Sequence, residues 1–352
     1  AEGVLGQTVP IKPGITPGSG PAHLALFGYD PLEFIIGRGV LSALGLGIPV
    51  SVNDVAARGN FCTIDSNGIV TDRRAGRISS EEAAPLVDLL GRITIEGFRT
   101  EVLLEREYRF TLVLHGPNLH PAVLDTDPQI TGLTPLPAVA SNPAAEFTAA
   151  LVNRWIAEAL KILQGQPKAN GVLLRGFGNG PDLESYKEAY GLRAACVAVY
   201  PMYRGVSRLV GMDILEFPGE TPLDEFSAVA RNWENYDFFF VHIKKTDSKG
   251  EDGDFKGKAE VIEEVDRALT ALVDLQPDVL MVTGDHSTPS SMRTHSWHPV
   301  PFLLWAPRTA RPDLETAFGE RNCARGGLGT FPATDTMPLA LAHALRLDKF
   351  GA

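Results

Sequence analysis

The chain has 352 residues, 44% of them apolar, and a formal net charge of −11. That is enough for one large domain or two of moderate size. The negative balance argues against a general nucleic-acid or anionic-membrane binder, while leaving room for local cation clusters that take a small anion. Cys62, Cys196 and Cys323 lie far apart without a CxxC spacing, which speaks for reduced thiols and a cytoplasmic location rather than a disulfide or zinc-ribbon scaffold. No stretch approaches the roughly 18 apolar residues of a membrane-spanning helix.

The sequence opens on AEGVLG, without methionine and in what reads as the middle of an element, so a fragment is expected. Residues 1–50 are rich in Gly and Pro and contain PGSGPAHLALFGYD (17–30). Ser19 stands there between two glycines, which permit a sharp turn and leave its oxygen approachable. The helix-like run that follows would offer backbone N–H groups to an anion. Such a serine serves as a nucleophile, a phosphate acceptor or a helix cap.

Around residue 50 the texture changes. SVNDVAARGNFCTID (51–65) reads as strand and turn, and DRRAGRIS (72–79) concentrates charge. EVLLEREYRFTLVLHG (101–116) alternates over two strand lengths, predicting antiparallel β structure with one wet face. HPAVLDTDPQITGLTPLP (120–137) holds too many breakers for a regular element, and the apolar spacing of residues 147–163 predicts a helix. Beyond residue 170, GVLLRGFG, AACVAVYP, YDFFFVHIK, DVLMVTGDH and VPFLLWAP are continuous apolar runs, as in parallel strands buried on both faces. Helical segments such as 258–275 separate several of them. The expectation is a doubly wound α/β core formed by residues 1–50 and 166–352, interrupted by an α+β insertion at 51–165.

Ligands of open parallel sheets sit beyond the C-terminal strand ends. FFFVHIKKTD ends in Asp247, four residues before Glu251. VLMVTGDH ends in Asp285 and His286, and His295 precedes the last run. Carboxylates and imidazoles on converging loops suit a divalent cation. His298, beside Pro299, is left out of this set, and His242, inside a strand, reads as a satisfied core histidine. A cation beside a serine suggests phosphoryl transfer. Guanidiniums for the other phosphate oxygens are available in Arg58, Arg73, Arg74, Arg77, Arg175, Arg204 and Arg208. DRRAGR, in the inserted region, is the strongest of these clusters.

The order of GSGPAHLALFGYDP, RGNFCTID…DRRAGRI, the DTDP loop, IKKTDSKGEDGDFKGK, TGDHSTP and HSWHPVPFLL resembles the archaeal-type 2,3-bisphosphoglycerate-independent phosphoglycerate mutases, within the alkaline-phosphatase-like metalloenzymes. The likeness spans nearly the whole chain. It implies interconversion of 2- and 3-phosphoglycerate in glycolysis and gluconeogenesis through a phosphoserine, with two divalent cations (Mn²⁺ or Mg²⁺, Zn²⁺ as the alternative) and without 2,3-bisphosphoglycerate. Its substrate is a small phosphorylated three-carbon acid, with neither nucleic acid nor membrane as partner and the oligomeric state left open. On this resemblance Ser19 matches the nucleophile, Asp285 and His286 match ligands of the cation that also touches it, and Asp247 and His295 match ligands of the other. Asn60, Asp72, Arg73, Arg74 and Arg77 fall in the substrate-binding segments, joined by Arg175 and Arg204.

Three departures stand out. The family opens with a strand ending in Asp-Gly, whose aspartate binds metal; the sequence starts after it. Glu251 stands where a histidine is usual, which adds negative charge and favours harder cations. Arg204 stands where a lysine is common, a change of hydrogen-bond geometry at equal charge. A phosphatase of the same superfamily, or a non-catalytic relative that binds phosphorylated metabolites, are the alternatives.

Overall fold

The structure is a computed structural model that describes residues 3–347 apart from Pro13, Glu96 and Pro181. In chain order the strands are β1 (Val4–Val9), β2 (Val55–Ile64), β3 (Val70–Asp72), β4 (Arg99–Arg106), β5 (Arg109–His115), β6 (Gly171–Gly178), β7 (Ala194–Ala198), β8 (Asp213–Ile214), β9 (Phe238–His242), β10 (Leu280–Thr283), β11 (Val300–Trp305) and β12 (Thr330–Pro332). The fold is mixed α/β. Contacts divide it into two units, the first made of residues up to Ile35 and from Glu184 onward, the second of Ile36–Leu183.

The first unit carries two sheets, ordered β10-β11-β1-β12 and β8-β7-β9. In the second sheet β7 runs parallel to both neighbours, as expected of buried apolar runs. In the first, β11 is antiparallel to both β1 and β10, contrary to the parallel expectation, while β1 and β12 are parallel. Continuous apolar sequence reports cover on both faces, not strand direction. Among the described residues β9 and β10 each have a ladder along one edge only. The Ser19–Leu26 helix is buried at seven of its eight residues. Phe27 at its end meets Phe240 of β9 and Tyr186 edge-on.

The second unit is built on the sheet β3-β2-β5-β4, with β6 on the other side of β2. The predicted hairpin is present as β4 and β5. β6 is antiparallel to β2 and belongs here, a second correction to the parallel reading. Val172 and Leu174 face one apolar cluster while Leu173 faces another, which is why the run is apolar throughout. The expected helix is found at Glu146–Leu163 and lays Leu151, Val152, Trp155, Ala159 and Leu163 onto the sheet at helical spacing. Gly59 is required in mid-strand because a Cβ there would lie 2.2 Å from the Phe110 ring. The Arg38–Gly45 helix packs on β2 and β6, so this unit extends on both sides of 51–165.

All three cysteines are buried free thiols. Among the described residues no helix is long and apolar enough to cross a membrane.

Candidate active site

Gly18, extended, occupies the N-cap of the Ser19–Leu26 helix and makes no side-chain cap bond. Ser19 is therefore the first helical residue, and its hydroxyl does not serve as the cap. That buried hydroxyl lies 3.0 Å from His286 Nε2 and 3.5 Å from the Tyr203 hydroxyl. One turn on, His23 Nδ1 lies 2.7 Å from the Ser19 carbonyl oxygen and 3.6 Å from Asp285 Oδ2.

Asp285 and His286 follow β10, as the sequence placed them. Asp285 Oδ2 is 3.2 Å from His286 Nε2 but has no hydrogen-bond partner. Burial acts to raise the Asp285 carboxyl, yet the imidazoles of His23, His286 and His242 and the Ser19 hydroxyl bring it well below the usual carboxylate range. The His286 imidazole is pushed below its ordinary value by burial, against the pull of Asp285.

Asp247 sits in the first turn of the Lys245–Glu251 helix, just past β9. Burial raises it, but Lys244 and the Thr288 hydroxyl hold it below the usual range. His295 Nε2 lies 3.4 Å from Asp247 Oδ1 and 3.3 Å from Glu251 Oε1 without a hydrogen bond to either. Its ring is 4.0 Å from that of His286.

The donors fit divalent cations. Ligand atoms of Asp247, His286 and His295 lie within 4.8 Å of one another, as do those of His23, His242 and Asp285. Asp285 Oδ2, His242 Nδ1 and His295 Nε2 are buried without partners, and mixed carboxylate and imidazole sets are what such ions take. His242 is thus half-buried with its buried Nδ1 unsatisfied, contrary to the sequence reading. It stacks on Tyr203 at 3.4 Å, and burial followed by the nearby His23 lowers its pKa to about 3. His298 bonds the Ser296 hydroxyl and stacks on Trp297, outside both sets.

The expected substrate residues divide between the units. In the second unit, Arg73 binds Asp127 through two bonds of 2.9 and 2.7 Å, and Arg175 approaches the same carboxylate at 3.4 Å. Burial and the guanidiniums of Arg58, Arg38 and Arg73 lower the Arg175 pKa, against the opposing Asp127. Arg38, Asp125, Gln129, Arg175 and Gly176 line a cavity of about 380 Å³, roomy enough for a small acid. Arg58 is bound to Glu105, and Asp72 accepts from the Arg74 and Gly76 amides. Asn60 is buried with an unpartnered Oδ1, and Arg74 and Arg77 are exposed. In the first unit, Arg204 donates to the Ala198 carbonyl and to Glu216.

Sequence reasoning passed over His23, Tyr203, Thr288 and Asp127. Asp127 had a signal, since DTDP stood out as a motif, but it lay in a loop read only for its breakers.

The model of the family described as 2,3-bisphosphoglycerate-independent phosphoglycerate mutase matches residues 1–169. A probable 2,3-bisphosphoglycerate-independent phosphoglycerate mutase of Thermotoga neapolitana is 51% identical over 353 residues, covering 100% of this chain and 87% of the relative. The counterpart in Deinococcus radiodurans is 48% identical over 358 residues, with coverage of 100% and 87%. Among solved structures, a Pyrococcus horikoshii protein superposes with a TM-score of 0.83 at 31% identity, covering 100% of this chain and 89% of its own. The cofactor-independent phosphoglycerate mutase of Thermoplasma acidophilum gives 0.77 at 29% identity, with coverage of 98% and 89%. With half of its residues shared with such relatives along essentially its full length, this chain belongs to the 2,3-bisphosphoglycerate-independent phosphoglycerate mutase family.

Proposed function

We propose that the chain interconverts 2- and 3-phosphoglycerate with Ser19 as the phosphoryl carrier. The observation that carries this reading is the buried Ser19 hydroxyl 3.0 Å from His286 Nε2, which in turn lies 3.2 Å from Asp285, while His295, its ring 4.0 Å from that of His286, lies 3.4 Å from Asp247. Family membership supplies the reaction class.

By the family resemblance Asp247, His295 and Glu251 would hold one divalent cation, and Asp285 and His286 with Ser19 the other, although the ligand atoms of His286 also group with those of Asp247 and His295; Mn²⁺ or Mg²⁺ suits the carboxylates, Zn²⁺ the imidazoles. When bound, such cations acidify a neighbouring hydroxyl and offset charge on a transferring phosphoryl group. The protein's own part is positional. His286 Nε2 and the Ser19 hydroxyl, 3.0 Å apart, hold each other in place beside Asp285. In the forward half-reaction the Ser19 Oγ–P bond forms as the glycerate O–P bond breaks, and the hydroxyl proton ends on glycerate. In the return half-reaction the other glycerate hydroxyl takes the phosphoryl group, and Ser19 regains a proton. Water must be kept from the phosphoserine, or the chain would act as a phosphatase.

Recognition of the three-carbon acid falls to Arg73, Arg74, Arg77 and Arg175, with Asn60, Asp72 and Arg204. Guanidiniums bind carboxylate and phosphate through two oxygens at once. The test is incubation with 3-phosphoglycerate and Mn²⁺, followed by acid quench and intact mass measurement. The expected result is 2-phosphoglycerate as main product and one phosphate on the peptide containing Ser19. Inorganic phosphate as main product, or no phosphoserine, overturns the reading.

A further inference from the structure

We infer that Thr288 is a positioning residue: its hydroxyl fixes which nitrogen of His286 faces Ser19 and ties that imidazole to Asp247. This deepens the reading of Ser19 given above and rests on it for its catalytic consequence.

The argument is one of counting protons. Thr288 is buried, and its hydroxyl lies 2.6 Å from Asp247 Oδ1 and 3.1 Å from His286 Nδ1. An ionised carboxylate only accepts, so the single hydroxyl proton goes to Asp247. The Thr288 oxygen is then an acceptor toward His286, and Nδ1 must carry the imidazole proton. A neutral imidazole has one N–H, which leaves a lone pair on Nε2. That lone pair faces the Ser19 hydroxyl and also Asp285 Oδ2, at 3.0 and 3.2 Å. Nε2 and the carboxylate oxygen are then both acceptors, which accounts for Asp285 Oδ2 lacking a hydrogen bond.

The threonine is itself held. Lys258 Nζ donates to its carbonyl oxygen at 2.8 Å. A Cβ on Gly250 would lie 2.3 Å from that same oxygen, so only glycine lets the Lys245–Glu251 helix come so close. Asp247 and Gly250, three apart on one helix, share the face that meets Thr288. His295 repeats the pattern more loosely, its Nδ1 lying 3.4 Å from the Pro17 carbonyl, so its Nε2 also turns toward carboxylates.

The test uses the full chain with ¹⁵N-labelled histidine, whose long-range proton–nitrogen correlations report the His286 tautomer. Thr288→Val keeps the shape and removes both bonds; Thr288→Ser keeps the hydroxyl. The wild-type protein should show His286 protonated on Nδ1, and Thr288→Val should lose that single tautomer. Thr288→Val should also lower kcat and the affinity for Mn²⁺ alone by about 10–100-fold with KM within about threefold, as for other partners of cation-binding histidines, while Thr288→Ser stays within about threefold of wild type. A wild-type His286 protonated on Nε2 overturns the inference without any variant, should Thr288→Val fail to fold. So does a Thr288→Val protein with unchanged tautomer, kcat and Mn²⁺ affinity. Failure of the wild-type chain to make 2-phosphoglycerate counts against the proposed function instead, and the spectrum and the Mn²⁺ titration still decide this point.

Discussion

The Ser19 hydroxyl and the His286 imidazole lie 3.0 Å apart although 267 residues separate them in the chain. Removing the hydroxyl tests that relationship directly. Ser19→Ala should lose the phosphoenzyme and at least ~10³-fold in kcat, the order expected when a nucleophile is deleted. Stopped assays of 2-phosphoglycerate formation provide the measurement, and turnover near wild type would rule out the serine route.

Glu251 shares His295 with Asp247 and is half exposed. Replacing it with histidine removes one negative charge and one hard oxygen from the cluster. Glu251→His should shift cation preference from Mg²⁺ and Mn²⁺ toward Zn²⁺ by about tenfold or more. Competition titrations after chelation report this; an unaltered preference order would place Glu251 outside the cation sites.

Arg73 and Arg74 are neighbours with different surroundings. Arg73 is bound to the buried Asp127, whereas Arg74 is exposed. Arg73→Ala should therefore raise KM and also cost roughly 1–3 kcal/mol of stability, because Asp127 loses two charge-assisted bonds. Arg74→Ala should raise KM with no change in melting temperature. Kinetics paired with thermal melts separate the two cases, and equal melting of both variants would contradict the assignment.

Glu225, in the Pro222–Arg231 helix, is buried with Oε2 unpartnered. Burial, opposed by Lys245 and reinforced by Asp224, raises its pKa to about 8. The folded state thus keeps a proton that the unfolded chain releases near the ordinary glutamate value of 4.5. Between those limits the folded form binds more protons, so stability is fully present below the unfolded pKa and falls as pH rises toward 8. Glu225→Gln should abolish this slope. Melting temperatures from pH 5 to 8 should show the variant gaining a few degrees over wild type at the upper end; parallel curves would refute the buried acid.

Much of the candidate site's arrangement in space was legible in the sequence, for definite reasons. Asp247, Asp285 and His286 announce themselves because they follow apolar runs at strand ends, and Ser19 because glycine flanks it. His242 was misread because a histidine inside an apolar run gives no sign of whether its nitrogens find partners. Thr288 carries no chemical signature in sequence; its importance lies in sitting between two groups that approach from positions 247 and 286. The antiparallel course of β6 and β11 was hidden because burial on both faces leaves the same apolar run in either direction.

The close approach of Gly59 to Phe110 has a consequence for variation at that position. A Cβ there would lie 2.2 Å from the ring, so Gly59→Ala would wedge β2 away from β5. The slack would pass to Arg58 beside it and, through the β2–β6 ladder, to Arg175.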